Sequence, residues 1–345
     1  MYTRFYAKAC IALAAGLFFM ACQDDPEPKP TSSFKVEVLV YDESSNDFEL
    51  TTATLTVTTQ SHTGQEVITK ELSAETSTIE LPEKEIYVYT VEISKTGYIS
   101  YYSPFSPEKL EQFNNSPLVV KLILESINNG LTAFFPFKGN ANDSTRNLYL
   151  GGTVYGATLT TGRKGFDACY YFDGVDDYIK VPNQTQLNTS GDFAISVWTA
   201  VSSTQIGTEG INDIIRKWNG DTEGYPYSIS YLNTNADDAN EDKFIYARYD
   251  GSACTNTPTS YSPLVTNDEF SHIVLVKQGT TLKHYLNGTL IQEFTDNTSC
   301  GTSNTADLTI GCRGNLVRYF KGKIDDIRIY SRSVSEAEVA SLYIE

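Results

Sequence analysis

Phe320-Lys321-Gly322-Lys323-Ile324-Asp325-Asp326-Ile327-Arg328-Ile329-Tyr330, close to the end of the 345-residue sequence, decides how the larger part of the chain is read. β-Branched and aromatic residues recurring after a glycine predict a strand. Side chains alternate across a strand, so Asp325, Ile327 and Ile329 are expected on one face and Asp326, Arg328 and Tyr330 on the other. The first set is the apolar one, which points the Asp325 carboxylate toward a core. A carboxylate there needs a cation or several donors.

Composition narrows the partners. The formal net charge is −17, from 26 Lys and Arg against 43 Asp and Glu. Such a chain repels polyphosphate, which excludes a nucleic-acid partner. It suits divalent cations and neutral or basic partners. The 23 tyrosines, with abundant Thr, Ser, Gly and Asn, fit many short strands and long turns. At about 100–200 residues per domain, two or three domains are expected.

Residues 1–21 begin with Arg4 and Lys8 and continue into an apolar run at 9–20. That run falls short of the ~20 residues needed to span a bilayer, but it suits the core of a signal peptide. Phe19-Met20-Ala21-Cys22 resembles a bacterial lipobox, with Cys22 as the lipidated residue. Gln23-Asp24-Asp25 is similar to the export signal of Bacteroidetes-type surface lipoproteins. Residues 22–33 are rich in proline and acid, as an extended tether is. The expectation is an outer-membrane, surface-exposed protein held to the membrane by a lipid anchor only. Export makes disulfides permissible.

Residues 34–125 read as a small β domain. Phe34, Val36, Val38 and Val40 alternate with polar residues, and further strands are expected at 53–59, 66–72, 77–81, 86–93 and 118–124. Their number and turn spacing predict an Ig-like or prealbumin-like sandwich. The 87–98 segment resembles carboxypeptidase-regulatory-like domains. His62 falls in a turn and reads as solvated, so the domain reads as a spacer.

In residues 126–345 a short polar link, Ser126 to Gly130, leads into an ordered set of motifs. They are LTAFFPFKGNAND (131–143), YFDGVDDYIKVP (171–182), FAISVW (193–198), FSHIVLV (270–276), LKHYLNG (282–288), LTIG (308–311) and IDDIRIY (324–330). Phe193, Ile195 and Val197 alternate with Ala194, Ser196 and Trp198, as a sandwich strand does. Asn287-Gly288 is a hairpin turn, since both positions accept φ > 0. Ser335-Glu336-Ala337-Glu338 forms a capping box with Val334 and Val339 as a staple, so a short helix follows and covers an open end. The ordered set resembles the LamG-like, concanavalin A-like jelly-roll family of bacterial surface proteins. The expected fold is all-β: the small sandwich, then a jelly-roll β-sandwich with one short C-terminal helix.

The resemblance implies a structural calcium clasping the first strand to the last. Its ligands would be Asp143 and Asp325, with Gly139 and Asn140 through backbone oxygens. Calcium takes about 6–8 oxygens, an inventory the 139–147 turn offers. The same residues also read as an Asx-turn at Asp143 and a backbone-bonded Asp325, and Asp143-Ser144-Thr145 resembles an O-glycosylation acceptor. The acids at 176–177, 237–238 and 241–242 read as solvated loops. Four cysteines follow the small domain; Cys254 and Cys300, in polar loops, are the first pair to expect, and Cys169 and Cys312 are a second pair or buried thiols.

Catalysis is not expected. Glycosidases need two flanking carboxyl groups, and the Glu-x-Asp-x-x-Glu run of the jelly-roll glucanases does not occur. His272 and His284 lack a Ser or Cys partner at motif level. Binding is expected instead. Trp218, Tyr225 and Tyr227, with Tyr261 beyond, set aromatics beside amides and carboxylates, as sugar sites do. Trp218 and Tyr227 equally suit covering the sandwich edge, and Trp198, inside a strand, reads as core. The partner is a glycan or, for an adhesin or structural protein, another surface protein.

Overall fold

The computed structural model describes residues 33–345 apart from 43–44, 46, 82–85, 146–150, 205–209, 221 and 235–238. The signal peptide, Cys22, nearly all of the tether, Asp237 and Asp238 lie outside the described residues. No helix among those described is long and apolar enough to cross a membrane.

The small sandwich forms as its alternation dictates. Ser33–Asp42 buries Phe34, Val36 and Val38 and pairs with Asp47–Leu50, Ser77–Glu80 and Leu118–Lys121. The facing sheet runs Gly64–Leu72, Ala53–Ser61, Ile86–Ser94, Tyr101–Phe105. One apolar cluster, including Phe34, Leu55, Val57, Val91 and Phe105, fills the space between them.

The larger body is an all-β jelly-roll sandwich. Among the described residues one sheet has eight strands, in the order Thr158–Thr161, Ala168–Asp173, Lys321–Tyr330, Phe193–Val201, Phe270–Gln278, Thr281–Leu286, Thr289–Thr295. Leu131–Phe135 adds to the same edge of Lys321–Tyr330 as Ala168–Asp173 does. The second sheet runs Thr153–Tyr155, Tyr178–Val181, Leu308–Ile310, Ile211–Lys217, Tyr225–Leu232, Lys243–Tyr249, Thr259–Leu264. Phe135, Phe172, Phe193, Ile195, Val197, Tyr227, Ile229 and Tyr246 fill the core between them.

The Lys321–Tyr330 strand corrects simple alternation. Ser196 pairs with Arg328, but Trp198 pairs with Asp325, so three steps on one strand match two on the other. Asp326, at φ +40°, is the extra residue of a β-bulge. Ile324, Ile327 and Ile329 therefore all reach the core. Asp325 is turned to the outer face, beside Trp198. It is nevertheless only 1% exposed.

Helix Glu336–Ile344 has the expected capping box: Glu338 N donates to Ser335 Oγ at 3.2 Å, and Ser335 N to the Glu338 carboxylate at 2.8 Å. Its position differs from the expectation. It lies on the outer face of the eight-stranded sheet, where Val339 and Leu342 join Ala194, Val274, Val276, Tyr285 and Ile127 of the link. The link is clamped rather than loose. The Arg332 guanidinium donates to Ser126 O and Asn129 O at 2.7 and 2.8 Å while bridging Glu338.

Cys254 and Cys300 form a disulfide across a sequence separation of 46. Cys169 and Cys312 are buried free thiols, each pushed up to about 12 by burial. Cys312 lies just past the Leu308–Ile310 strand rather than within one. Closing a loop of that length stabilises by up to about 4 kcal/mol. Replacing both, Cys254→Ser with Cys300→Ser, is expected to lower the unfolding free energy by ~2–4 kcal/mol in a urea melt. A loss below ~1 kcal/mol would mean that Asp250, which accepts from Ser299 N and Asn256 N, already holds these loops together.

Candidate functional site

The residues expected to share a calcium are engaged separately. Asp143 Oδ1 accepts from Phe134 N and Thr145 N at 2.8 and 3.0 Å, and its other oxygen takes the Thr145 hydroxyl. Asn140 Oδ1 accepts from Asn142 N, and Gly139 supplies the φ +94° that turns the chain. Asp325 meets the 162–167 hairpin, not the 139–145 turn. It accepts from Asp326 N at 2.9 Å and Arg163 N at 3.4 Å. This donor set does not fit the expected clasp, because its oxygens already serve N–H groups of their own turns and, at Asp325, of the 162–167 hairpin. Of the acidic turn at 173–177, Asp177 is buried rather than solvated and caps Asp173 N at 2.8 Å.

The four expected aromatics separate. Trp218 follows Ile211–Lys217 and is half-buried, with the Arg313 guanidinium 3.9 Å from its ring centroid. Tyr225 opens the next strand with Arg216 4.4 Å over its ring. Tyr227 belongs to the core, its hydroxyl donating to Leu187 O. Tyr261 stands on the edge strand, 40% exposed and away from the others. Two residues of one aromatic run point opposite ways because the register slips between Tyr225 and Ser228, at Pro226, which has no N–H to give a ladder.

Trp218 is shared by two cavities on the outer face of the seven-stranded sheet, each about 330 Å³. One is lined by Tyr178, Lys180, Trp218, Asn219, Asp307 and Leu316 among others. The second is lined by Arg216, Trp218, Tyr225, Tyr249, Arg313 and Arg318 with Thr257. Beneath them lies a polar layer that the sequence did not announce. Arg216 pairs with Asp213 at 3.3 Å, and Ser230 donates to the other Asp213 oxygen at 2.6 Å. Lys217 is fully buried and donates to Asn183 Oδ1, Asn304 O and Oδ1, and Ala306 O. Burial pushes its amine down to about 8. These bonds fix the 304–307 segment, which forms a wall of the first cavity. Burial acts to raise the Asp307 carboxyl, but Lys180 at 2.8 Å and Asn183 N outweigh it and hold it below the usual range. The signal for Lys217 was a lysine two residues past the apolar Ile214-Ile215 pair and next to Trp218.

Residues 173–340 match the family described as the concanavalin A-like lectin/glucanases superfamily. This segment is a domain of that superfamily. Among solved structures, the lectin-like domain is similar to the binding domain of Paraclostridial mosquitocidal protein 1, at 17% identity and TM-score 0.51, covering 63% of this chain and 52% of that one. It is similar also to the receptor-binding domain of botulinum neurotoxin D, at 16% identity and TM-score 0.51, covering 64% and 53%. At those identities the likeness concerns the fold, and the chain spans about half the length of either domain. The sequence matches no curated protein.

Two Ser–His pairs exist that motifs did not reveal. Ser196 Oγ lies 2.8 Å from His272 Nε2 and Ser260 Oγ 2.8 Å from His284 Nδ1. Both histidines are 0% exposed, and their other ring nitrogens have no partner. A nucleophile needs access and an oriented base; these pairs have neither and serve packing. Trp198 stacks on His272 and Tyr343, with Arg163 4.4 Å from its ring, so it belongs to the outer face and not to the core.

Below that stack, burial and then the neighbouring Asp326 push Asp325 up to about 7. Unfolded, an aspartate titrates near ~3.9. Between these values the folded chain binds the extra proton, so this group's stabilising contribution is full at low pH and is lost as pH rises through about 7. His272 and His284, pushed down by burial, act in the opposite sense, so the informative quantity is a difference. Unfolding free energy is expected to fall less between about pH 5 and 8 in Asp325→Asn than in the wild type. Parallel curves would show that Asp325 does not titrate in that window.

Proposed function

We propose that this chain is a non-catalytic, lipid-anchored protein of the outer membrane, exposed at the cell surface, whose lectin-like domain binds carbohydrate at the Trp218 groove. The observation that carries the reading is the position of Trp218, an aromatic shared by two sugar-sized cavities. Each is walled by amide, hydroxyl, carboxylate or guanidinium groups, with the buried bonds of Arg216 and Lys217 beneath them. Sugars offer apolar C–H faces to an aromatic ring and hydroxyls to such groups. The superfamily pairs lectins with glucanases, and a saccharide ligand fits either.

Lack of catalysis is supported by the acids present. Among the described residues lining the two cavities, Asp307 is the one carboxyl group, and it is tied to Lys180. Glycoside hydrolysis takes two. Support for the anchor comes from the sequence around Cys22 and the apolar run at 9–20.

A glycan-array screen of the protein, followed by titration of the best-scoring glycan, tests the reading. Trp218→Ala is expected to weaken that glycan by about tenfold or more, with the melting temperature moving by less than ~3 °C. Tyr227→Phe, which touches only the core, is expected to leave affinity unchanged. Affinity equal to wild type in Trp218→Ala would remove the groove as the site.

A further inference from the structure

A third cavity, of distinct chemistry and about 280 Å³, lies beside the disulfide, and its walls include Cys300. Its floor is charged and buried. The Arg248 side chain is 2% exposed and the Asp296 side chain 4%; that of Lys277 is 11% exposed. One Asp296 oxygen is the carboxylate oxygen near both cations, at 3.2 Å from Arg248 and 3.9 Å from Lys277, whose ammonium also donates to Gly279 O at 2.6 Å. The other accepts from Thr298 N and Oγ1. Arg248 Nη2 donates to Thr302 Oγ1 at 3.0 Å, and its Nε makes no hydrogen bond. The rim carries hydroxyls, from Ser190, Thr280, Thr298 and Thr302.

Two cations sharing one carboxylate leave a buried excess of positive charge, which is unfavourable unless an anion completes it. Nearby acids do not. Asp250 turns to the N–H groups of Ser299 and Cys300, and Asp192 to Gly279 N, each outside the lining. The Lys277 ammonium, with the buried Arg248 charge behind it, suits a carboxylate through a charge-assisted bond. The hydroxyl rim suits a polyol. We propose that this cavity binds the carboxylate of an acidic sugar, a uronic-acid-type residue at a chain end. Its volume lies just under the usual range of ligand pockets, about 300–1,000 Å³, and suits a single ring. The surrounding −17 charge disfavours a polyanion, which narrows the ligand to a single acidic unit. The site is independent of the Trp218 groove.

The test uses sodium glucuronate as probe, with glucose at the same ionic strength, both followed by saturation-transfer NMR on the purified protein. Saturable glucuronate binding, about tenfold tighter than glucose, is expected from one charge-assisted contact. Lys277→Gln and Thr302→Val are each expected to collapse that preference, with unchanged circular dichroism, while Trp218→Ala leaves it intact. Should Lys277→Gln fold poorly, Thr302→Val decides alone. Equal affinity for glucose, a preference retained in the folded variants, or loss in Trp218→Ala alone overturns the proposal. Displacement of glucuronate by an equal concentration of sodium sulfate overturns the sugar assignment and leaves a site for bare anions.

Discussion

The closing strand has to serve two partners along one edge. Leu131–Phe135 pairs with its second half, residues 327–330, and Ala168–Asp173 with its first half, 321–324. Asp325 and Asp326 fall in the gap between them, where the ladder on that edge lapses. A bulge there relieves the mismatch, since the extra residue needs no cross-strand partner. It also swings two adjacent carboxylates outward, where the 162–167 hairpin covers them. Arg163 reaches Asp326 through Nε and Nη2 at 3.3 and 3.0 Å and lies over Trp198. Segments nearly 200 residues apart are thus joined through one strand, a topology of non-local contacts that folds slowly and depends on every partner being in place.

The groove depends on the same device in the other sheet. The register between Ile211–Lys217 and Tyr225–Leu232 slips at Ile214, so Ile214 and Ile215 both enter the core. Arg216 then faces outward beneath Tyr225, and Lys217 is drawn beneath the 304–307 segment. Asn304 completes the arrangement by donating to Lys217 O and Gly224 O. The cavity walls are therefore preorganised by buried polar bonds, and a bound ligand orders little that is not already ordered.

Much of this architecture was legible. Alternation at 34–40 and 193–198, the Asn287-Gly288 turn and the Ser335 capping box each rest on local chemistry that a few neighbouring residues determine. The pair Cys254 and Cys300 followed from their shared polar setting. What was illegible has a common cause. A bulge changes the parity of a strand without changing its composition, so Asp325 was given the wrong face, and Tyr225 and Tyr227, expected at one site, part to opposite faces. Pro226 marks its bulge in the sequence; Asp326 and Ile214 do not mark theirs. The Ser–His pairs were hidden for a different reason, since each joins strands far apart in the chain.

Charge gives the two cavities different roles. In the cavity that Tyr178 and Lys180 line beside Trp218 the cations are answered: Lys180 by Asp307, and Lys217 beneath by the dipoles of Asn183, Asn304 and Ala306. A matched lining offers a ligand hydrogen bonds and apolar contact but no net attraction for charge, which favours a neutral sugar. Near the disulfide Arg248 and Lys277 divide one carboxylate, and the lining favours an acidic one. The field outside assists neither, because the chain as a whole is strongly negative and exposed charges are screened beyond ~8–10 Å at physiological salt. Recognition at both places is therefore short-range, set by shape and by whether the buried charges are balanced before the ligand arrives.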